Sequence, residues 1–125
     1  MAATAVVAGD CLNGIVIGAA QRAEIEAARV VSCDHEHALE VYATFELDPD
    51  EIDPDDDPYD YPGRARVVRA ADEGCAKRIE ELVADPDRFG LIALWPSPTS
   101  WAQGDRDVAC AVFHPGGGTF ERRQL

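Results

Sequence analysis

The chain has 125 residues, 46% of them apolar, which is enough for one domain to bury a core without help from a metal or a partner chain. Its 24 acidic residues outnumber 11 basic ones and give a formal net charge of -13 at pH 7. Such a surface repels phosphate backbones and anionic lipid headgroups, so we expect neither nucleic-acid binding nor membrane-surface binding.

Three strands are predicted in the N-terminal part. Residues 6–12 suggest a short strand that runs into a turn, and residues 28–33 are rich in β-branched side chains. Residues 18–27 have helix-favouring composition and are left unassigned. Apolar residues alternate over 37–47, which predicts a third strand. The residues expected on one side of that strand are Leu39, Val41, Ala43 and Phe45.

Targeting segments are not expected in this sequence. No apolar run approaches the roughly 18 residues of a membrane span. Residues 1–12 lack the charged start and the long apolar centre of a signal peptide. We therefore expect a soluble single domain over residues 1–125.

An acidic loop is predicted at residues 48–60, where eight acidic residues and three prolines occupy thirteen positions. Charge repulsion and the missing proline N–H groups argue against helix or central strand, so we expect an extended, solvated loop. A calcium site is the alternative. However, the EF-hand pattern needs glycine at its sixth position, and residues 48–60 contain none, the next glycine being Gly63.

The clearest helix is predicted over residues 66–85, before Pro86. Its apolar residues recur at three- and four-residue steps and form one stripe. Cys75 lies in the middle of the stripe, so its sulfur is expected to point at whatever the helix packs on. Gly74 permits close approach of another backbone. The predicted stripe consists of Val68, Ala71, Cys75, Ile79 and Leu82.

The C-terminal part predicts two further strands. Residues 90–95 form an apolar run of strand length, and residues 105–113 alternate, with Val108, Cys110 and Val112 on the inward side. Between them, a single helical turn is expected, with Ser97 as its cap, Pro98 first and Gly104 closing it. Together the elements predict an α+β fold, with one main helix packed on an antiparallel sheet.

Four cysteines occur at positions 11, 33, 75 and 110, and none forms a C-x-x-C pair. This spacing argues against a zinc ribbon or a thioredoxin-like redox motif. An even number of scattered cysteines suits two disulfides in an oxidising compartment. Spacing alone leaves open the alternative of four buried, reduced cysteines in a cytosolic protein.

Five motifs in order resemble the septum formation domain of actinobacterial envelope proteins over nearly the whole chain. They are GDCL at 9–12, C-x-x-x-H-x-x-E-V at 33–41, YPG at 61–63, A-x-x-x-C at 71–75 and P-x-x-W-x-x-G-D-R-x-V-x-C at 98–110. The resemblance implies an extracytoplasmic module, commonly tethered by a membrane helix, whose cysteines pair as disulfides. Within residues 1–125 we expect no such anchor, and His35 and an unusually acidic loop are further departures from the family pattern.

Four paired cysteines allow three connectivities. We favour Cys11 with Cys33, which joins neighbouring strands. We then pair Cys75 with Cys110, which ties the helix stripe to the inward side of the last long strand. The separations are 33 - 11 = 22 and 110 - 75 = 35 residues. In the chain-entropy model, each bridge stabilises the fold by about 3 to 4 kcal/mol.

Polar residues around Cys33 allow several interpretations. On an extended strand, Cys33, His35 and His37 share one face and could ligate zinc or copper. Oxidation of Cys33 removes both that thiolate ligand and a Cys33 nucleophile, so we expect no metal. The alternative function is a metal-binding protein that uses His35 and His37. We expect His37 and Glu40 to be structural, holding a turn or pairing with Arg106.

The sequence favours a binding module over an enzyme. Trp95 and Trp101 are the candidate binding surface, although paired tryptophans more often cover the edge of a core. Asp105 is grouped with Arg106 as a structural polar residue. No nucleophile-elbow, zinc-protease or phosphate-loop motif occurs, so no catalytic residue and no cofactor are expected. The expected function is a non-catalytic extracytoplasmic envelope module that binds a protein or cell-wall partner in septation, in a native protein tethered to the membrane.

Overall fold

The computed structural model of the chain describes residues 6–13, 29–52, 61–116 and 118–125. Its strands are β1 (Cys11–Asn13), β2 (Arg29–Val31), β3 (Leu39–Glu46), β4 (Gly90–Leu94) and β5 (Asp107–Phe113). Its helices are α1 (Pro49–Ile52), α2 (Arg64–Leu82) and α3 (Pro98–Ala102), with a 3-10 turn at Pro86–Arg88. The strands form one sheet in the order β2-β1-β3-β5-β4, and all neighbours are antiparallel. The predicted α+β class is confirmed.

A β-bulge in β3 changes the direction of its side chains. Val41 pairs with Ala111, whereas Ala43 pairs with Cys110, so one extra residue lies between them. Because side chains alternate across a strand, an extra residue moves all later ones to the other face. The expectation of a single apolar side on β3 was therefore wrong. Leu39 and Val41 lie on one face of the sheet, and Ala43 and Phe45 lie on the other.

The main helix α2 packs on the face of the sheet that carries Cys110. Cys75 is joined to Cys110, and Gly74 lies against the ring of Phe45. A Cβ atom built on Gly74 would meet the phenyl carbon Cζ at 2.1 Å. The predicted close approach at Gly74 is thus present, but the partner is a side chain rather than a backbone.

The buried line of α2 differs from the predicted stripe at both ends. Val67 is buried where Val68 was expected, and Leu82 is 55% exposed. The buried residues follow a constant four-residue step, which continues past the helix end to Val83. The buried residues are Val67, Ala71, Cys75, Ile79 and Val83.

The acidic segment begins with a helical turn, contrary to the prediction of an extended loop over residues 48–60. Proline at the first position of a helix lacks only an N–H that would be unpaired there anyway, so Pro49 starts α1. The backbone N–H groups of Glu51 and Ile52 donate to the carbonyl of Asp48 at 3.1 and 3.2 Å. Residues 53–60 lie outside the described residues.

The remaining boundaries follow local signals. The N-terminal strand starts after the predicted turn instead of before it, and Gly9 adopts a positive φ of 96° there. The strand expected over residues 28–33 is confirmed as β2, while residues 18–27 lie outside the described part. In α3, Ser97 and Ser100 form a reciprocal capping box. Among the described residues, no helix has both the length and the apolar character that a membrane crossing requires.

Candidate functional site

Both predicted disulfides are confirmed. Cys11 and Cys33 have Cα atoms 5.3 Å apart, and those of Cys75 and Cys110 are 5.4 Å apart. The first bridge joins β1 to the turn after β2, because Cys11 pairs in register with Val31. Cross-links at these two places fix the sheet edge and the main helix to the same core.

A buried pair of polar side chains lies beside the first disulfide. His37 is fully buried and Glu40 is 1% exposed. The Nδ1 atom of His37 lies 2.7 Å from the carbonyl oxygen of His35, which can only accept, so Nδ1 carries a hydrogen and donates it. The Nε2 atom lies 2.6 Å from Oε2 of Glu40, and the two atoms share one proton.

The same pair holds the C-terminal segment. The backbone N–H of Gln124 donates to both carboxylate oxygens of Glu40, at 2.9 and 2.8 Å, and that of Leu125 donates to Oε1 at 2.9 Å. The backbones of His37 and Phe120 exchange two hydrogen bonds of 2.9 and 2.8 Å. His37 and Glu40 therefore connect the start of β3 to residues more than eighty positions later.

The expected partner of Glu40 was wrong. Glu46 pairs with Asp107, and the N–H of Leu47 donates to the carbonyl of Arg106 at 2.8 Å. Arg106 thus lies beyond the far end of β3, and that end is itself six residues from Glu40, or about 20 Å along an extended strand. Alternation in a sequence predicts the faces of a strand but not its register with a neighbouring strand. The register of β3 with β5 is what places Glu40 and Arg106 at opposite ends of β3.

Trp95 and Trp101 do not form an exposed platform, because they are only 5% and 1% exposed. The guanidinium carbon of Arg106 lies 3.6 Å from the ring centre of Trp101, and its Nη1 donates to the Trp101 carbonyl at 2.8 Å. Burial lowers the pKa of Arg106, and the charge of Asp105 opposes that shift. These tryptophans belong to the core, and the prediction of a recognition surface there was wrong.

Asp105 organises the start of β5. Its Oδ1 accepts the backbone N–H of Asp107 at 2.9 Å, while its buried Oδ2 has no partner within the described residues. Burial raises the pKa of Asp107, and the charges of Asp105 and Glu46 raise it further. Acidic side chains therefore crowd this end of the β3–β5 pair.

Potential metal ligands are gathered differently from the prediction. His35 is exposed and contributes only its carbonyl to His37. In the described part of the chain, the gathered group is Cys11, His37 and Glu40, whose ligand atoms lie within 4.8 Å of one another. Cys11 enters the group because β1 pairs with β3 and places it opposite Glu40. Sequence spacing gave no sign of this, since Cys11 and His37 are 26 positions apart.

A polar groove of about 760 Å³ lies between α1, α2 and the end of β3. Sequence reasoning missed it, although the charged residues off the apolar stripe of α2 were a signal for a solvated helix face. Its charged lining contains four cations and four acids. These are Arg66, Arg69, Lys77 and Arg78, with Glu46, Asp48, Glu51 and Glu73.

The chain is similar to two uncharacterized membrane proteins of Mycobacterium tuberculosis, from strains CDC 1551 / Oshkosh and ATCC 25618 / H37Rv. Each is 29% identical over 99 residues, which cover 73% of this chain and 21% of the relative. The chain therefore spans about a fifth of the length of the curated relatives it matches. No solved structure matches it. A family model described as "Septum formation" matches residues 8–124, and the chain belongs to this septum formation family.

Proposed function

We propose that this chain is a non-catalytic module of the cell envelope, located outside the cytoplasm, that binds a protein or cell-wall partner during septation. The observation that carries the proposal is the match of the septum formation family over residues 8–124. The relatives described as membrane proteins support an envelope location. Two disulfides support an oxidising compartment, where such bonds persist.

The placement of the polar groups supports a scaffold rather than an enzyme. His37 and Glu40 are buried and bond to each other, to the His35 carbonyl and to the C-terminal backbone. A general acid or base must reach a proton on its substrate at about 3 Å. Because this pair is enclosed, it can instead fix the turn at His35, the start of β3 and the C-terminal backbone relative to one another.

The groove beside α2 is the surface that we assign to the partner. Its volume of about 760 Å³ lies within the range of about 300 to 1,000 Å³ that is usual for binding sites. Both signs of charge line it, which suits a partner that itself carries ammonium and carboxylate groups, such as a peptide segment. Arg69 and Lys77 stand exposed along it.

Site-specific photo-crosslinking in dividing cells tests this assignment. A photoreactive residue at position 69 lines the groove, whereas one at position 76 is exposed on the same helix outside the groove. The native protein should give a discrete adduct with an envelope protein or wall fragment from position 69 and none from position 76. Identical adduct patterns at both positions, or the absence of any envelope adduct, would contradict the proposal.

A further inference from the structure

The cluster beside the first disulfide contains the ligand set of a metal site. Cys11, His37 and Glu40 are all buried, and their Sγ, ring nitrogen and carboxylate oxygen lie within 4.8 Å of one another. Thiolate, imidazole and carboxylate are the protein ligands of Zn²⁺. We propose that these three residues form a buried Zn²⁺ site that the Cys11–Cys33 disulfide keeps closed, and that the site becomes available when this disulfide is reduced.

Two of the three ligands are already oriented for a metal. Metal-binding histidines almost always donate their second N–H to a carbonyl or carboxylate, and Nδ1 of His37 donates to the carbonyl of His35 at 2.7 Å. This leaves Nε2 to bind the ion. Glu40 is held by backbone N–H groups of Gln124 and Leu125 at 2.8 to 2.9 Å. The outer contacts of a metal site are therefore in place around both residues.

Charge makes the oxidised protein a poor host for Zn²⁺. With Cys11 in a disulfide, Zn²⁺ bound to neutral His37 and ionised Glu40 would leave a net charge of +1 in the core. An uncompensated buried charge is strongly unfavourable. The thiolate of reduced Cys11 supplies the missing negative charge and brings the total to zero. Redox state therefore determines whether the ion is tolerated.

Binding of the ion requires the ligand atoms to move by about 1 Å, since they now lie within 4.8 Å of one another. Tetrahedral zinc with bonds of 2.0 to 2.3 Å holds its ligand atoms about 3.3 to 3.6 Å apart. Nε2 of His37 and Oε2 of Glu40 are 2.6 Å apart and would separate by about 0.7 Å as the ion replaces their shared proton. Cys33 is partly exposed on its turn, where it can supply the fourth ligand or leave that position to water.

Opening the site requires a reductant, and filling it releases protons. An external dithiol transfers two electrons and two protons to the Cys11–Cys33 bridge and itself becomes a disulfide. Binding of Zn²⁺ then releases two protons, because its ligands must be deprotonated. One comes from the thiol of Cys11, and the other is the proton shared by His37 and Glu40.

Two matched variants test the proposal with Co²⁺ and Zn²⁺ as the only added probes. Cys33→Ser and Cys11→Ser both remove the same disulfide, and both retain the Cys75–Cys110 bridge. Only Cys33→Ser keeps the buried sulfur. It should bind one equivalent of Co²⁺ with a sulfur-to-cobalt charge-transfer band that Zn²⁺ abolishes. Cys11→Ser should bind at least about 100-fold more weakly, and oxidised wild type should show no such band.

Equal affinities in the two variants, or no charge-transfer band in Cys33→Ser, would overturn the proposal. If Cys33→Ser is unfolded without metal, one equivalent of Zn²⁺ should restore its circular dichroism spectrum, since metal binding and folding are coupled. Failure to restore it would also overturn the proposal. In wild type, Zn²⁺ should raise the Tm of protein reduced with a phosphine and leave that of oxidised protein unchanged. An unchanged Tm in the reduced sample would count equally against the site.

Discussion

Nε2 of His37 lies 2.6 Å from Oε2 of Glu40, and this buried pair holds the C-terminal segment against the start of β3. The imidazole is fixed by the His35 carbonyl, and the carboxylate is fixed by the N–H groups of Gln124 and Leu125. The contact lies beside the Cys11–Cys33 bridge. Covalent and polar links thus reinforce the same end of the sheet.

Removing the Glu40 carboxylate should destabilise the fold. Glu40→Ala leaves the buried side chain of His37 and the backbone N–H groups of Gln124 and Leu125 without their acceptor. Loss of one partner from a buried polar pair costs about 3 to 5 kcal/mol. Urea unfolding should show a loss of this size, whereas Glu80→Ala, an exposed acid on α2, should change stability by less than about 0.5 kcal/mol. Equal stability of the two variants would refute the structural role of Glu40.

Replacing Gly74, the residue beside Cys75, with alanine should destabilise the fold. Gly74→Ala places a Cβ 2.1 Å from Cζ of Phe45, and overpacking of this kind costs about 1 to 3 kcal/mol. In the Phe45→Ala background the ring is gone, and the same substitution should stabilise α2 by up to about 1 kcal/mol, as alanine does in a helix. A double-mutant cycle of unfolding free energies measures both. An additive cycle would show that the ring does not restrict this position.

The phenol of Tyr42 should lose its proton at a higher pH than an ordinary tyrosine. It donates to the Cys75 carbonyl at 3.0 Å, and burial raises its pKa from 10.0 to about 12, against an opposing effect of Arg78. The folded state therefore retains the proton longer than the unfolded state. This contribution to stability is complete below pH 10 and is lost as the pH rises to about 12.

Ultraviolet titration of folded wild type and Tyr42→Phe protein isolates this group among the three tyrosines. The difference between the two curves should have its midpoint near pH 12. A midpoint near pH 10 would mean that the phenol is solvated, which would contradict the burial of Tyr42 between β3 and α2.

Local signals in the sequence predicted much of the fold. Ser97, Pro98 and Gly104 mark the beginning and end of α3, and the apolar run at 90–95 becomes β4. The choice of cysteine partners was also predictable once the family resemblance had implied disulfides, because the stripe on α2 and the inward side of β5 each carry one sulfur. The predictions of α3 and β4 depend on residues whose preferences act within a few positions.

Features that depend on register could not be predicted. The bulge between Val41 and Ala43 has no marker such as glycine or proline, so simple alternation placed four side chains on one face. Pairing of β1 with β3 brings Cys11 opposite Glu40, and pairing of β3 with β5 takes Arg106 to the far end. Such long-range alignments are determined by packing of the whole sheet rather than by local sequence.

The pairing of all four cysteines is the central claim, and counting thiols tests it most directly. Protein purified without reductant should be unfolded in denaturant, treated with excess maleimide and weighed by mass spectrometry. All four cysteines of the chain are in disulfides, so the mass should show no maleimide adduct, and four adducts should appear when reductant precedes the label. Four adducts on the unreduced sample would contradict the disulfide scaffold.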